Sequence, residues 1–171
     1  NLIVRIPGKG TEDYINRTFE YNNAMAAWRA GISPEIVWAD VNNGVMVSKA
    51  INEIETMTPN LFSSRNGSPA RAGYAFAKLH NSGETFDFRF ELFNMIEDYL
   101  KILSTKDVNL PEGYHDIVKA AEPVKETLQA NPTTLVPCHC DPVCENFLDD
   151  GKNMWIVDWE YSGMNDPLWD L

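Results

Sequence analysis

The most constraining feature of this sequence is a polar segment near its C-terminal end that runs into a predicted β-hairpin. His139, Asp141 and Asn146 follow one another in the pattern H-x-D-x4-N. The predicted hairpin covers residues 147–157, with an Asp-Asp-Gly turn at its tip. Asp158 stands directly after its second, apolar strand. Any fold of this chain must therefore accommodate a polar loop, a hairpin and the aspartate that directly follows the hairpin.

These side chains have the chemistry that phosphoryl transfer from ATP requires. The reaction needs a divalent metal to neutralise charge on the phosphates and a group that orients the attacking hydroxyl. Magnesium prefers hard oxygen ligands, and Asp158 and Asn146 offer a carboxylate and an amide oxygen. Asp141, five residues before Asn146, can accept a proton or hold the hydroxyl in line.

The rest of the chain alternates between β-rich and helical segments. Apolar periodicity and turn signals predict this order: a strand over 2–6, a helix over 11–29, strands over 35–39 and 45–50, a connector over 54–59, helices over 69–80, 90–103 and 111–130, and a strand over 135–138 before the hairpin. The connector predicts one boundary, which divides the chain into 1–52 and 53–171.

Composition excludes some classes of protein. The formal net charge of −11 disfavours a nucleic-acid binder, which would show a basic patch. The acidic surplus suits a cationic substrate or metal ions, although it is equally consistent with simple solubility. No apolar run approaches the roughly 18 residues of a membrane helix, and no secretory signal opens the chain. We therefore expect no membrane insertion and a cytoplasmic location.

Two other motifs carry less information. Cys138, Cys140 and Cys144 are an odd, clustered set, which is not typical of a disulfide framework and lacks the second ligand pair of a zinc site. They are interpreted as small buried side chains. The segment 8–11 has two glycines and a lysine but not the spacing of a phosphate-binding P-loop. It is interpreted as a turn between a strand and a helix.

The polar constellation resembles the catalytic loop and metal-binding aspartate of the protein-kinase-like superfamily. The His two residues before Asp141 is similar to the aminoglycoside phosphotransferase and choline kinase branch. The run Asp158-Trp159-Glu160-Tyr161 resembles the D-[FW]-E-Y run of choline and ethanolamine kinases. The opening segment 4–11 resembles bacterial choline kinases of the LicA type. The resemblance extends over nearly the whole chain and is strongest at its two ends.

This resemblance implies an α+β, protein-kinase-like two-lobed fold, present in part. Residues 1–52 would be the remnant of a small N-terminal β-lobe with one helix, and residues 53–171 a mostly helical C-terminal lobe that carries the catalytic loop. It also implies ATP and Mg²⁺ as cofactors, and choline or ethanolamine as the acceptor.

The resemblance implies a role for each residue of the constellation. Asp141 would be the catalytic carboxylate and contact the substrate. Asn146 and Asp158 would hold Mg²⁺, and His139 would brace the loop. Glu160 would lie near the substrate as an anionic partner for a quaternary amine, although a structural hydrogen bond to the loop fits it equally well.

The resemblance also implies a nucleotide site in the N-terminal part. Arg5 would stand where kinases place the strand lysine that contacts the ATP phosphates, with Glu20 on the first helix as its ion-pair partner. The role of Glu20 depends on that of Arg5. The link between the lobes, where backbone groups would meet adenine, would consist of Lys49, Ala50, Ile51 and Asn52.

Three possible functions stay open from the sequence, and the first is the kinase of choline or ethanolamine. The same fold and catalytic set would serve a kinase of an aminoglycoside, a sugar or homoserine. A non-catalytic pseudokinase is the third possibility, because the first two strands and the phosphate-covering loop of the family would precede residue 1.

The chain does not begin with Met and both ends look cut, so we expect a truncated form that lacks the family's C-terminal helices as well. Their aromatic groups would surround a trimethylammonium. Oligomeric state is not indicated.

Overall fold

The computed structural model describes residues 1–106 and 108–171. Its strands and helices are, in chain order, β1 (Leu2–Arg5), α1 (Arg17–Arg29), β2 (Ile36–Asp40), β3 (Val45–Lys49), β4 (Glu55–Thr56), α2 (Pro59–Ser64), α3 (Ser68–His80), α4 (Leu92–Ser104), α5 (Tyr114–Ala130), β5 (Val136–Cys138), β6 (Phe147–Asp149), β7 (Met154–Ile156) and β8 (Gly163–Asn165). Short 3₁₀ turns cover Cys144–Asn146 and Pro167–Asp170. Helices combined with small antiparallel sheets confirm the predicted α+β class.

The N-terminal sheet places Arg5 at the end of an edge strand. Its order is β1-β3-β2, and both pairings are antiparallel. Val4 lies opposite Val47, and Arg5 lies opposite Met46 of the central strand. The predicted turn between β2 and β3 is present, and Gly44 closes it with a φ of 72°. Glycine adopts this left-handed conformation without the steric cost of a Cβ atom.

Helix α1 starts later than the sequence predicted. The expected start at residue 11 is wrong, because the helix begins at Arg17 behind an Asn16 cap. The Asn16 side-chain oxygen accepts hydrogen bonds from the amides of Thr18 and Phe19 at 3.0 and 3.1 Å. Such a cap satisfies amides that have no partner within the helix. Residues 11–15 form a hydrogen-bonded turn instead. Because the helix starts at Arg17, Glu20 lies in its first turn.

The C-terminal hairpin is present as predicted, and it recruits a strand that the sequence did not reveal. Strands β6 and β7 pair antiparallel, and β4 adds to β6 through Glu55 opposite Asp149 and Thr56 opposite Leu148. A connector was predicted at this position because two residues carry too little periodicity to indicate a strand. Strand β5 pairs with β8, which brings residues 163–165 next to the start of the catalytic loop.

The core lies between α1, α3 and the hairpin. The ring of Phe147 meets the rings of Phe62 and Phe76 edge to face, with centroids 5.4 and 5.6 Å apart. Trp159 packs edge-on against Phe86 with centroids 5.9 Å apart. Edge-to-face arrangements are favourable because the positive rim of one ring meets the negative face of the other. This packing fixes the hairpin, and therefore the residues that flank it.

Contacts divide the chain into two compact units. One unit comprises residues 1–90 and 135–171, and the other comprises residues 91–134. The second unit contains α4 and α5, where the Lys125 ammonium lies 3.4 Å from the Glu97 carboxylate. The predicted division into 1–52 and 53–171 stays a prediction, since residues on both sides of it belong to the first unit. In the described ranges, no helix has the length and apolar character needed to cross a membrane.

Candidate active site

The catalytic loop predicted from the sequence joins β5 to β6, and His139 lies buried at its start. His139 has no exposed surface. Its Nε2 lies 2.9 Å from the carbonyl oxygen of Val157, and its Nδ1 accepts a hydrogen bond from the Asp141 amide at 3.3 Å. This pair of partners corresponds to the neutral imidazole, with the proton on Nε2. His139 therefore connects the loop to the end of the hairpin, which is a bracing contact.

Asp170 binds the same loop from the other side. Its buried carboxylate accepts hydrogen bonds from the amides of His139 and Cys140 at 3.0 and 2.9 Å. The Nε2 atom of His80, at the end of α3, lies 2.9 Å from the same carboxylate. Asp170 thus braces the loop through its carboxylate. Cys140 needs such support, because its φ of 66° is rare for a side chain other than glycine.

Asn146 directly precedes the hairpin and Asp158 follows it, so both residues lie at its open end, opposite the turn. The Asn146 side-chain nitrogen donates to the carbonyl oxygen of Asp141 at 3.0 Å, and the Asn146 carbonyl accepts from the Val157 amide at 3.0 Å. Asp158 has a φ of 67°. Strained backbone at such a position is typical of functional sites, where the surrounding structure holds it.

The donor set fits a magnesium ion. Because the Asn146 nitrogen is used by Asp141, its side-chain oxygen is the atom left for a metal. One oxygen of Asp158 accepts from Arg5, and the side chain is 40% exposed, so the second oxygen is accessible. A carboxylate and an amide oxygen are ligands that Mg²⁺ prefers. Asn146 and Asp158 are the residues that would hold the ion.

Arg5 forms the centre of a charged cluster. Its Nη1 pairs with Oε1 of Glu20, and its Nη2 lies 2.9 Å from both Asp158 Oδ1 and Glu160 Oε2. The ion pair between Arg5 and Glu20 that the resemblance implies is therefore present. The guanidinium fork permits these simultaneous contacts. Arg5 thus connects the N-terminal sheet and α1 to the residues that follow the hairpin.

One further member of this cluster, Arg17, was not predicted from the sequence. Its Nη1 lies 2.8 Å from Glu20 Oε2 and 3.4 Å from Glu160 Oε2, and its Nη2 contacts Thr11 Oγ1. Burial raises the pKa of Glu20, against the opposing hydrogen bond from Arg17 and the charges of both arginines. The signal that was available was the spacing of Arg17 and Glu20, which places them as neighbours on one helix face.

A cavity of about 310 Å³ lies beside the cluster. Arg5, Asn146 and Asp158 line it, together with the apolar side chains Ile3, Ile36, Met46, Ile51, Ile54 and Leu148. A mostly apolar cavity with a few convergent polar groups is the usual form of a small-molecule site. Asp141 and Glu160 are not among the described residues that line this cavity.

Of the four residues predicted to meet adenine, two reach this cavity. Lys49 and Ile51 line it. The amide of Lys49 donates to Glu35, and the amide of Ala50 donates to Asn1. Within residues 1–106 and 108–171, the amides of Ile51 and Asn52 have no such partner. If this segment binds a base, those two amides are the available donors.

Cys138 and Cys140 are buried, as expected, whereas Cys144 is partly exposed. Burial raises the pKa of Cys138, and it raises the pKa of Cys140 to about 12. Burial disfavours the thiolate form of both residues, as expected for side chains that serve packing.

Comparison with known proteins gives a consistent family. The family model described as choline/ethanolamine kinase matches residues 1–171. Protein LicA of Haemophilus influenzae is 28% identical over 171 residues, which are 99% of this chain and 63% of that protein.

Solved structures agree with this match. A choline/ethanolamine kinase family protein from Mesorhizobium loti has 59% identity and a TM-score of 0.86, over 99% of this chain and 56% of that one. Choline kinase LicA from Streptococcus pneumoniae has 27% identity and a TM-score of 0.83, over 99% and 59%. A structure of LicA in complex with AMP has 28% identity and a TM-score of 0.82, over 99% and 57%.

These likenesses confirm the predicted protein-kinase-like fold, present in part. The chain spans between about half and two thirds of the length of the relatives it matches.

Proposed function

Because this chain belongs to the choline/ethanolamine kinase family, we propose that it carries the catalytic residues of an ATP- and Mg²⁺-dependent kinase that phosphorylates choline or ethanolamine. The observation that carries the proposal is the contact of Arg5 with Asp158. It joins the residue expected to meet the ATP phosphates to the residue expected to hold the metal, at 2.9 Å.

The acceptor half of the mechanism depends on Asp141. Its carboxylate takes the proton from the acceptor hydroxyl as the oxygen attacks the γ-phosphorus, and the bond between that phosphorus and ADP breaks. His139 and Asn146 hold the Asp141 backbone by hydrogen bonds of 3.3 and 3.0 Å. Positioning of this kind lowers the entropic part of the barrier.

The nucleotide half depends on the cavity and Arg5. The apolar side chains from β1, β2 and β3 suit the faces of adenine, and the amides of Ile51 and Asn52 suit its edge. Arg5, held by Glu20, directs its guanidinium toward the phosphates. Mg²⁺ held by Asn146 and Asp158 would neutralise charge on the phosphate oxygens. The LicA structure with AMP supports a nucleotide in this family.

The choice of choline rests on the relatives and on charge. The Streptococcus pneumoniae neighbour is described as a choline kinase. A net charge of −11 suits a cationic acceptor, and Glu160 is the acid that we propose lies near it.

ADP release with Mg-ATP and a panel of acceptors tests the proposal. The panel contains choline, ethanolamine, an aminoglycoside and homoserine, compared by kcat/KM. The assay is run on this chain and on a chimaera that flanks it with the remaining segments of the Mesorhizobium loti relative. Asp141→Asn is the matched control, since it removes the base and keeps the shape of the side chain. We expect a loss of about 10²–10⁴-fold in kcat.

The outcomes separate the candidate functions. Choline-dependent release that Asp141→Asn abolishes supports the proposal. A clear preference for the aminoglycoside or homoserine would replace the acceptor and keep the mechanism. Nucleotide binding without turnover on any acceptor, in the chimaera as well, would favour a pseudokinase.

A further inference from the structure

We propose that Arg17 is a positioning residue that holds Glu20 and Glu160 in place for Arg5, and that nucleotide affinity depends on it. The inference rests on the proposed function, because Arg5 is taken to meet the phosphates. Arg17 itself lies outside the residues that line the cavity in the described part of the chain. It therefore acts through its neighbours.

The contacts of Arg17 close a ring of alternating charges. Glu20 gives one carboxylate oxygen to Arg5 and the other to Arg17. Glu160 shares one oxygen between Arg5, at 2.9 Å, and Arg17, at 3.4 Å. The order around the ring is Arg5, Glu20, Arg17, Glu160. Each of the two carboxylates is held by both arginines, so that neither Glu20 nor Glu160 rotates freely. Arg5 therefore meets two fixed acceptors within the ring.

The position of Arg17 in α1 needs such an explanation. It is the first residue of the helix, where the helix dipole disfavours a cation. Its side chain is only 10% exposed, so it is not a solvated surface charge. Burial lowers the pKa of Arg17, but the hydrogen bonds and charges of Glu20 and Glu160 outweigh this effect and raise it. The two carboxylates thus account for a partly buried arginine at an unfavourable site.

Two neighbouring loops are shaped around this side chain. Thr11 contacts Arg17 Nη2 through Oγ1, and the same hydroxyl donates to the Gly8 carbonyl at 2.9 Å. A Cβ atom at Gly44 would lie 2.7 Å from Arg17 Cδ. The turn between β2 and β3 therefore leaves the space that the Arg17 side chain fills. Both loops belong to the same compact unit as the ring.

Loss of Arg17 changes what Arg5 can do. The cluster has a net charge of −1, from the two cations Arg5 and Arg17 and the three carboxylates Glu20, Asp158 and Glu160. Removal of one cation makes this net charge more negative, at −2. The buried Glu20 would then depend on Arg5 alone, and Arg5 would be less available to a phosphate. Lysine cannot replace Arg17 fully, because a single ammonium lacks the fork that reaches both carboxylates and Thr11.

The experiment measures two properties of Arg17→Met and Arg17→Lys. The first is the Kd for a non-hydrolysable ATP analogue with Mg²⁺, by calorimetry. The second is the NMR signal of the Arg5 side-chain Nε–H in the nucleotide-free protein, which requires neither nucleotide nor turnover. Arg29→Met is the matched control, since Arg29 ends the same helix in an exposed pair with Glu84. Melting temperatures show that each variant is folded.

A second pair of variants moves Arg17 without changing any charge. Gly44→Ala places a methyl group against the Arg17 side chain. Gly83→Ala is its control, because Gly83 has a φ of 75° and nothing lies within 4 Å of its added Cβ atom. Both substitutions carry a similar backbone strain, so the difference between them reports on the contacts of the added methyl group, which are closest to Arg17 Cδ at 2.7 Å and include Pro7 Cγ at 3.1 Å.

We expect Arg17→Met to weaken analogue binding about tenfold and Arg17→Lys to weaken it less, as one to two charge-assisted contacts are lost. The Arg5 signal broadens in Arg17→Met and Gly44→Ala, and it stays sharp in Arg29→Met and Gly83→Ala. An unchanged Arg5 signal, or an analogue Kd equal to that of Arg29→Met, would overturn the proposal. A failure of the proposed function is seen separately, as analogue binding with no phosphorylation of choline or ethanolamine.

Discussion

The backbone amide of Cys140 donates a hydrogen bond to Asp170 Oδ1 at 2.9 Å. The second oxygen of Asp170 accepts from the His139 amide at 3.0 Å and lies 2.9 Å from His80 Nε2. One buried carboxylate therefore holds two consecutive residues of the predicted catalytic loop and links them to α3. Since Cys140 has a left-handed backbone, this anchor offsets a local strain of about 1–3 kcal/mol.

Asp170→Asn tests this anchor. The substitution turns one acceptor into an NH₂ group that faces a donor, and each buried donor left unsatisfied costs about 1–3 kcal/mol. We expect a lower melting temperature and a lower kcat, because Asp141 follows the anchored residues directly. Asp166→Asn is the control, since Asn can still cap the Leu168 amide that Asp166 binds at 2.9 Å. Equal melting temperatures for the two variants would contradict the anchoring role.

Asp158→Asn tests the metal site. Removal of the carboxylate charge weakens the attraction to Mg²⁺, whereas the shape of the side chain is kept. We expect the Mg²⁺ concentration for half-maximal activity to rise and kcat to fall. The measurement is a magnesium titration at saturating ATP. A magnesium requirement identical to that of the unaltered protein would show that Asp158 is not a ligand.

Glu160→Gln separates the two roles open to Glu160. If its carboxylate meets the cationic head of the acceptor, neutralisation raises KM for choline about 3–10-fold and changes KM for ATP less. The contacts of Glu160 with Arg5 and Arg17 predict the reverse pattern if it serves only the ring. We expect the first pattern, measured by varying each substrate at saturation of the other. A larger change in KM for ATP would remove Glu160 from the acceptor site.

Asp149→Asn tests the buried network beneath the hairpin turn. Burial by itself would raise the pKa of Asp149, but hydrogen bonds from Arg71, Gly151 and Ser68 outweigh it and hold the pKa below its usual range. A depressed pKa in the folded state gives stability that is complete above the unfolded value of about 3.9 and is lost as the pH falls through the folded value. The network therefore stabilises the fold at neutral pH and weakens in acid.

Urea unfolding at pH 7 and in acid measures this effect. We expect Asp149→Asn to lower the free energy of unfolding by about 2–4 kcal/mol at pH 7, because the buried Ser68 and the partly buried Arg71 lose a charged acceptor. The difference from the unaltered protein should shrink toward pH 3. Asp98→Asn, which removes an exposed acid paired with Lys101, should change little at either pH. A difference that stays constant with pH would contradict the assigned pKa shift.

Local pattern determined the chemistry-bearing part of this protein. The spacing of His139, Asp141, Asn146 and Asp158 requires only a loop and a hairpin, which short-range turn chemistry specifies. Strand and helix periodicity likewise located most of the larger elements to within a few residues. The start of α1 was missed, because a cap depends on one side chain and leaves little trace in an apolar period.

Tertiary structure alone decided which charges meet. Arg5, Glu20 and Glu160 come from a strand, a helix and a post-hairpin segment, and their pairing depends on how these elements pack. Arg17 closes the ring only because Gly44 leaves room for it, and Asp170 reaches the loop only because β5 pairs with β8. Contacts between residues far apart in the chain have no periodicity, so sequence pattern cannot encode them one residue at a time. The burial that gives these charges their strength likewise exists only in the folded chain.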